Sequence, residues 1–168
     1  MSNPLAALRG VHTLVLDVDG VLTDNTVQVT EDGEQLRTMS IRDGYALKAG
    51  LEAGLRIAVI TGGSSMGVRR RLLGLGVRDY YSGVVDKAEV LSAYLQEHQL
   101  AADGVCYLGD DLPDLPAMDL VGLVCAPQDA CPEVLAKAHY VGNKGGGQGF
   151  VREVIEGVLK LQRRWPGA

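Results

Sequence analysis

Acidic, hydroxyl and basic side chains stand at the ends of the short apolar runs of this chain. Asp17, Thr61 and Asp110 each come at the end of such a run or one glycine beyond it. These runs are typical of buried parallel strands, and ligands of parallel sheets bind outside the carboxyl ends of the strands. Seven residues are therefore expected to converge at one edge of a sheet: Asp17, Asp19, Thr61, Lys87, Asp110, Asp111 and Asp114.

Such a set of side chains suits the transfer of a phosphoryl group. Carboxylates in one crevice repel one another unless a cation lies among them, and oxygen ligands suit Mg²⁺. Lys87 adds a fixed positive charge and Thr61 a hydrogen-bond donor for phosphate oxygens. An aspartate such as Asp17 can attack phosphorus and form an acyl phosphate. Asp19, two residues on, can protonate the leaving oxygen and then activate water.

The segments that position these residues predict an α/β fold with a parallel sheet and helices on both faces. Strand-like runs alternate with helical patterns, including one over 43–53 that ends at Gly54. An Asp-Gly turn between two β-rich runs predicts a hairpin at about 25–39. We expect one domain over 1–168, with a tail at about 143–168 in which the glycine-rich run 145–149 is flexible.

Composition excludes several classes of protein. The formal net charge of −5 argues against a nucleic-acid groove or an anionic membrane surface. Three cysteines without C-x-x-C spacing predict neither a disulfide framework nor a zinc site. No apolar run approaches the length of a spanning helix, and residues 1–10 do not resemble a signal peptide. We therefore expect a soluble, cytoplasmic protein.

Four motifs in order resemble those of the haloacid dehalogenase superfamily. They are Asp17-Val-Asp-Gly-Val-Leu-Thr23, Ile60-Thr-Gly62, Lys87 and Gly109-Asp-Asp-x-x-Asp114. The segments 40–45, 84–87 and 145–154 further resemble the small branch of that superfamily, which has no cap domain. Only the hairpin lies between the first two motifs, which is too little for a cap.

The resemblance assigns a role to each core residue of the site. Asp17 is expected to be the nucleophile and a metal ligand, and Asp19 the general acid/base with its backbone carbonyl on the metal. Asp110 is expected to be the third protein ligand of Mg²⁺. Thr61 and Lys87 are expected to hold the phosphoryl group.

The same resemblance implies a phosphorylated sugar acid as the substrate. The expected one is 3-deoxy-D-manno-octulosonate 8-phosphate, a lipopolysaccharide precursor; 2-keto-3-deoxynononate 9-phosphate and N-acylneuraminate 9-phosphate are the alternatives. Gly62 is expected to contact the substrate and Arg42 its carboxylate, because a guanidinium matches a carboxylate bidentately. Asp111 and Asp114 are expected to support Lys87 or the metal-bound waters.

The resemblance also implies a homotetramer in which neighbouring subunits help to close the active site. Members of the branch often carry a charged residue where this chain has Gly63, and Arg or Glu where it has Gln148. Both departures bear on which sugar acid is preferred.

Two functions of other classes are alternatives to a phosphatase. A phosphorelay receiver also uses a parallel sheet, acidic residues, a threonine and a lysine, but its acidic pair comes first and its acceptor later. The acid/base Asp19 also argues for turnover rather than a persistent phosphate. A silent domain that only assembles oligomers is the other reading, and the intact set of polar residues disfavours it.

Overall fold

The computed structural model describes residues 4–167, and its centre is a parallel β-sheet. The strands are β1 (Thr13–Leu16), β2 (Gln28–Val29), β3 (Gln35–Leu36), β4 (Arg56–Ile60), β5 (Asp79–Tyr81), β6 (Val105–Leu108), β7 (Leu123–Ala126) and β8 (Tyr140–Val141). Six of them form one sheet in the order β5-β4-β1-β6-β7-β8, with every neighbouring pair parallel. The first strand of the chain therefore lies inside the sheet, between β4 and β6.

Helices cover both faces of this sheet. They are α1 (Pro4–Arg9), α2 (Ile41–Glu52), α3 (Met66–Gly74), α4 (Lys87–Glu97), α5 (Leu115–Met118), α6 (Pro132–Lys137) and α7 (Phe150–Leu161), with short 3-10 helices at Ala102–Gly104 and Leu112–Asp114. Successive side chains of a strand point to opposite faces, so Leu14 and Leu16 pack with α2, α3 and α7. Val15 packs with α4, α5 and α6. The predicted α/β fold is confirmed.

Hydroxyl and carboxylate caps set the beginnings of the helices beside the site. Ser40 caps α2 by accepting a hydrogen bond from the Asp43 amide, and so α2 begins at Ile41, two residues before the predicted start. Ser65 caps α3 by accepting a hydrogen bond from the Val68 amide. Asp86 caps α4 and thereby makes Lys87 its first residue.

The predicted hairpin is present as the antiparallel pair β2 and β3. Gln28 pairs with Leu36, and Val29 with Gln35. Gly33 takes φ of 82° in the connecting turn, a conformation that favours glycine. Both strands are exposed, and the hairpin leads directly into Arg37 and then α2.

The C-terminal tail is an integral part of the packed structure. Helix α7 packs against α2, and Asp43 of α2 accepts a hydrogen bond from the Arg152 amide. Gly145 and Gly146 are buried, and Gly147 donates its amide hydrogen to the Val21 carbonyl. This run is thus packed against the loop after β1, rather than flexible as expected from its composition.

None of the helices within residues 4–167 combines the length and hydropathy that a bilayer-spanning segment requires. The single-domain organisation over 1–168 stays a prediction.

Candidate active site

Three buried carboxylates meet at the carboxyl edge of the two central strands. Asp17 follows β1, and Asp110 follows β6 after Gly109. Asp114 returns to the same point from the end of the short 3-10 helix. Oxygens of the three carboxylates lie within 4.8 Å of one another. The structure thus brings together residues of the first and last of the predicted motifs.

Lys87 supplies the positive charge that faces this cluster. Its Nζ lies 2.8 Å from Asp17 Oδ2 and 2.7 Å from Asp114 Oδ1. Burial lowers the pKa of Lys87, but the charges and hydrogen bonds of the two aspartates outweigh it, and the net pKa is raised. The ammonium therefore stays protonated and is held in place beside the Asp17 carboxylate.

Asp114 is the hydrogen-bonding hub of the site. Its Oδ1 accepts from Lys87 Nζ at 2.7 Å and from the Tyr107 hydroxyl at 2.8 Å. Its Oδ2 accepts from the Asp110 and Asp111 amides at 3.0 and 3.3 Å. With both oxygens occupied in this way, Asp114 orients its neighbours and has little capacity left to bind a cation.

Tyr107 was not among the predicted site residues. It lies inside β6, and because its neighbours in the strand are apolar, the sequence pattern predicts a core residue. The signal that was available is that a buried tyrosine hydroxyl needs a hydrogen-bond partner. Burial, followed by the charge of Asp114, raises its pKa well above the ordinary value, so Tyr107 acts as a hydrogen-bond donor.

Asp110 and Asp17 carry the features of cation ligands. Asp110 Oδ1 is buried without a hydrogen-bond partner among the described residues. Burial and then the charges of Asp114 and Asp17 raise the pKa of Asp110 to about 8. Burial and the charge of Asp114 raise that of Asp17 to about 6, against the opposing effect of Lys87. An orphaned carboxylate oxygen among crowded, oxygen-only donors fits Mg²⁺.

Two glycines make the close packing at this point possible. Gly20 has φ of 88°, and a Cβ there would lie 2.0 Å from Asp110 Oδ2. Gly146 packs directly against Gly20, and a Cβ on Gly146 would lie 1.9 Å from the Gly20 carbonyl oxygen. The loop after β1 thus approaches both Asp110 and the tail more closely than any side chain would allow.

The Asp19 side chain is not one of the three carboxylates of the acidic cluster, and it pairs with Arg37, which directly follows β3. Arg37 Nε donates to Asp19 Oδ1 at 2.6 Å, and Nη2 donates to Oδ2 at 3.1 Å. The hydrogen bond to Asp19 raises the pKa of Arg37. Arg37 was also missed from the sequence, since a lone arginine in a hairpin carries no motif.

Thr61 directly follows β4 and lines a small pocket together with Asp19. It is buried, its amide bonds the Tyr81 carbonyl, and its hydroxyl accepts from the Gly63 amide at 3.2 Å. Gly62 is exposed beside it. Both residues thus stand at the same edge of the sheet as Asp17.

The side chains of Asp111 and Arg42 are not part of the acidic cluster. Asp111 is exposed and caps the short 3-10 helix by accepting from the Leu112 amide at 2.8 Å. Arg42 is exposed near the start of α2 and lines a groove of about 860 Å³ together with Lys144 and Arg152. Of the predicted supporting residues, Asp114 is the one that contacts Lys87.

Known proteins of one class share this fold. The family model of the haloacid dehalogenase-like hydrolases matches residues 76–153. A 3-deoxy-D-manno-octulosonate 8-phosphate phosphatase of Escherichia coli K12 is 38% identical over 158 residues, 94% of this chain and 84% of that one.

Two solved structures extend the comparison. The enzyme of the same name from Yersinia pestis matches with a TM-score of 0.95 at 36% identity, over 99% of this chain and 90% of that one. The one from Moraxella catarrhalis, in complex with a magnesium ion, a phosphate ion and a KDO molecule, matches with a TM-score of 0.92 at 32% identity. That match covers 97% of this chain and 94% of the other.

The chain belongs to the haloacid dehalogenase-like hydrolases, in the group of the 3-deoxy-D-manno-octulosonate 8-phosphate phosphatases, and it is a phosphatase.

Proposed function

We propose that this phosphatase hydrolyses 3-deoxy-D-manno-octulosonate 8-phosphate to the free sugar acid and phosphate, with Mg²⁺ as its cofactor. The observation that carries the proposal is the pairing of Lys87 with Asp17 next to the orphaned oxygen of Asp110. That arrangement places a nucleophile, a positively charged ammonium group and a carboxylate oxygen without a hydrogen-bond partner close together. The Moraxella catarrhalis relative, which binds magnesium, phosphate and KDO, supports the choice of ligands.

Asp17 is the proposed nucleophile. Its carboxylate attacks phosphorus while the bond from phosphorus to the sugar oxygen breaks, which gives an aspartyl phosphate. Lys87 Nζ, 2.8 Å from Asp17 Oδ2, holds the carboxylate in place and offsets the charge on the phosphoryl oxygens. The Thr61 hydroxyl stands at the neighbouring strand end and donates to a phosphoryl oxygen, with Gly62 beside it.

Asp19 is the proposed general acid/base. It gives a proton to the departing sugar oxygen, and then removes a proton from the water that attacks the aspartyl phosphate. The second step releases phosphate and restores the Asp17 carboxylate. In this scheme Asp19 must be free to face the leaving group, although it is bound to Arg37 in the structure.

Asp17, Asp110 and the backbone carbonyl of Asp19 are the proposed ligands of Mg²⁺. When bound, the ion neutralises the charge that builds up on the phosphoryl oxygens. Asp114 keeps Asp110 and Lys87 in position through its hydrogen bonds.

A homotetramer in the cytoplasm stays part of the proposal. Apolar side chains on the hairpin and the start of α2 support an assembly, because Val29 is 63% exposed, Leu36 49% and Ile41 82%. Light scattering after size-exclusion chromatography should give four times the 17.8 kDa chain mass. Arg42 stays a predicted substrate-binding residue. Because it lines a groove away from Asp17 within one chain, it contacts the substrate only if it belongs to the site of a neighbouring subunit.

The test is phosphate release from a panel of sugar phosphates in the presence of Mg²⁺. We expect the highest kcat/KM for the eight-carbon sugar-acid phosphate and no turnover by Asp17→Asn. The matched control is Asp32→Asn, which makes the same change at an exposed turn of the hairpin. Full activity of Asp17→Asn would remove the nucleophile assignment, and a preference for a nine-carbon acid phosphate would change the substrate but keep the mechanism.

A further inference from the structure

The ion pair between Arg37 and Asp19 joins the hairpin to the general acid/base. Two hydrogen bonds of 2.6 and 3.1 Å make the contact bidentate. The Arg37 side chain is only 8% exposed, whereas that of Asp19 is 34% exposed. A long surface arginine is seldom so well ordered by chance, since holding it in one geometry costs side-chain entropy.

Arg37 lines both a narrow pocket and an open groove. The narrow pocket is also lined by Asp19, Thr61 and Gly63, and it has no room for a water molecule. The groove has a volume of about 790 Å³ and lies between the hairpin and the beginning of α3. A groove of this volume is in the range that accommodates a small-molecule ligand.

Gly63 gives the guanidinium its space. A Cβ on Gly63 would lie 3.2 Å from Asp19 Oδ2 and 3.4 Å from Arg37 Nη2. Any larger side chain at this position would compete with the ion pair. The pair thus depends on the absence of a side chain at position 63.

We propose that Arg37 binds the carboxylate of the sugar-acid substrate, and that it exchanges Asp19 for this carboxylate when the substrate enters the groove. The proposal rests on the proposed function, since it requires a substrate that carries both a phosphate and a carboxylate. It makes Arg37 a residue that determines specificity and couples substrate recognition to the release of Asp19.

The geometry favours an exchange over a permanent pair. Each oxygen of Asp19 accepts one hydrogen bond from Arg37, and this bidentate contact holds the carboxylate towards the hairpin. A guanidinium presents the same fork to any carboxylate. Replacing one bidentate carboxylate by another therefore costs little. Asp19 is released as a carboxylate, takes up a proton from solvent and can then give that proton to the leaving oxygen.

Phosphate esters without a carboxylate should be poor substrates for this reason. They bring no group that replaces Asp19 on Arg37, and the general acid/base stays bound. The ion pair thus supplies selectivity in a site over which residues 4–167 place a hairpin and no cap domain.

The experiment compares Arg37→Met with wild type on two substrates. These are 3-deoxy-D-manno-octulosonate 8-phosphate and 4-nitrophenyl phosphate, which has no carboxylate. We expect kcat/KM for the sugar acid to fall about 10–100-fold, mainly through KM, as for a lost charged hydrogen-bonding partner. Turnover of 4-nitrophenyl phosphate should rise, because Asp19 is no longer held. The matched control is Arg70→Met, which removes an exposed arginine of α3.

Two further variants sharpen the comparison. Arg37→Lys keeps the charge but loses the fork, so the preference for the sugar acid should be only partly restored. Gly63→Ala crowds the ion pair at ordinary backbone angles, and it should reduce the preference without removing any charge.

The outcomes separate this proposal from the proposed function. An unchanged preference in Arg37→Met, or an equal fall on both substrates, would overturn the role of Arg37 while leaving the phosphatase assignment intact. A wild-type enzyme without preference for the sugar-acid phosphate would overturn the proposed substrate, and the role of Arg37 with it.

Discussion

Replacing Asp110 by asparagine should stabilise the metal-free protein while it removes Mg²⁺ binding. The Asp110 carboxylate is buried near Asp17 and Asp114, and its Oδ1 has no partner within the described part of the chain. An asparagine keeps the shape, removes one negative charge and offers an amide that donates to a neighbouring carboxylate. The same change deletes a ligand of the proposed metal.

The size of the effect follows from the pKa of Asp110. This pKa is raised from 3.8 to about 8, mainly by burial. Above pH 3.8 the unfolded chain has lost the proton that the metal-free folded protein keeps up to about pH 8. The free energy of unfolding therefore falls as pH rises across this interval. At about 1.4 kcal/mol per pKa unit the upper limit at pH 8 is about 5 kcal/mol.

The measurable gain is smaller, because solvent and local relaxation screen a carboxylate that is not wholly enclosed. We expect the metal-free variant to be more stable than wild type by about 1–2 kcal/mol at pH 8, or about 3–6 °C in Tm. At pH 5 the two proteins should differ less, because the wild-type carboxyl is protonated there.

Calorimetry with EDTA, and again with excess Mg²⁺, measures both halves of the prediction. Mg²⁺ should raise the Tm of wild type and leave that of Asp110→Asn unchanged. Asp111→Asn is the control, because it removes the adjacent charge and asparagine caps a helix as well as aspartate. A metal-free Asp110→Asn protein that is less stable than wild type at pH 8, or that still gains stability from Mg²⁺, would refute the reasoning.

Three further substitutions probe the support of the site. Tyr107→Phe removes a hydrogen bond to Asp114 and should cost about 1 kcal/mol in urea denaturation, with turnover lowered but not lost. Lys87→Met leaves the buried aspartates without their positively charged partner, and in EDTA it should lower the free energy of unfolding by about 3–5 kcal/mol. Mg²⁺ should restore part of this stability, and equal losses with and without Mg²⁺ would contradict the prediction. Gly20→Ala should lower Mg²⁺ affinity in calorimetric titration, whereas Gly33→Ala, with φ of 82° and no atom near its Cβ, should add backbone strain alone.

The residues at strand ends were accessible from the sequence for a physical reason. A buried strand must be apolar, so the first polar residue after the run marks the edge where ligands bind. Asp17, Thr61 and Asp110 were found in this way. The helix cap that places Lys87 at the start of α4 also depends on neighbouring residues alone, because the Asp86 side chain accepts a hydrogen bond from the Glu89 amide.

The rest of the site depends on contacts between distant segments. Asp114 becomes a hub only when β6 brings Tyr107 towards it and α4 brings Lys87. Arg37 reaches Asp19 because the hairpin folds back over the sheet edge. No spacing in the sequence encodes these distances, and the glycine run that seemed flexible is fixed by a partner near the other end of the chain.

The packing of Gly146 against Gly20 has a consequence for the order in which the protein folds. During synthesis the loop that carries the nucleophile leaves the ribosome long before the glycines that pack against it. Strand β1 also has to wait for β6 before its second edge is covered. Contacts between such remote segments form slowly, and exposed strand edges favour aggregation. A nascent chain that already carries all four motifs but not yet Gly146 should therefore be inactive, because the loop after β1 still lacks the segment that packs against it.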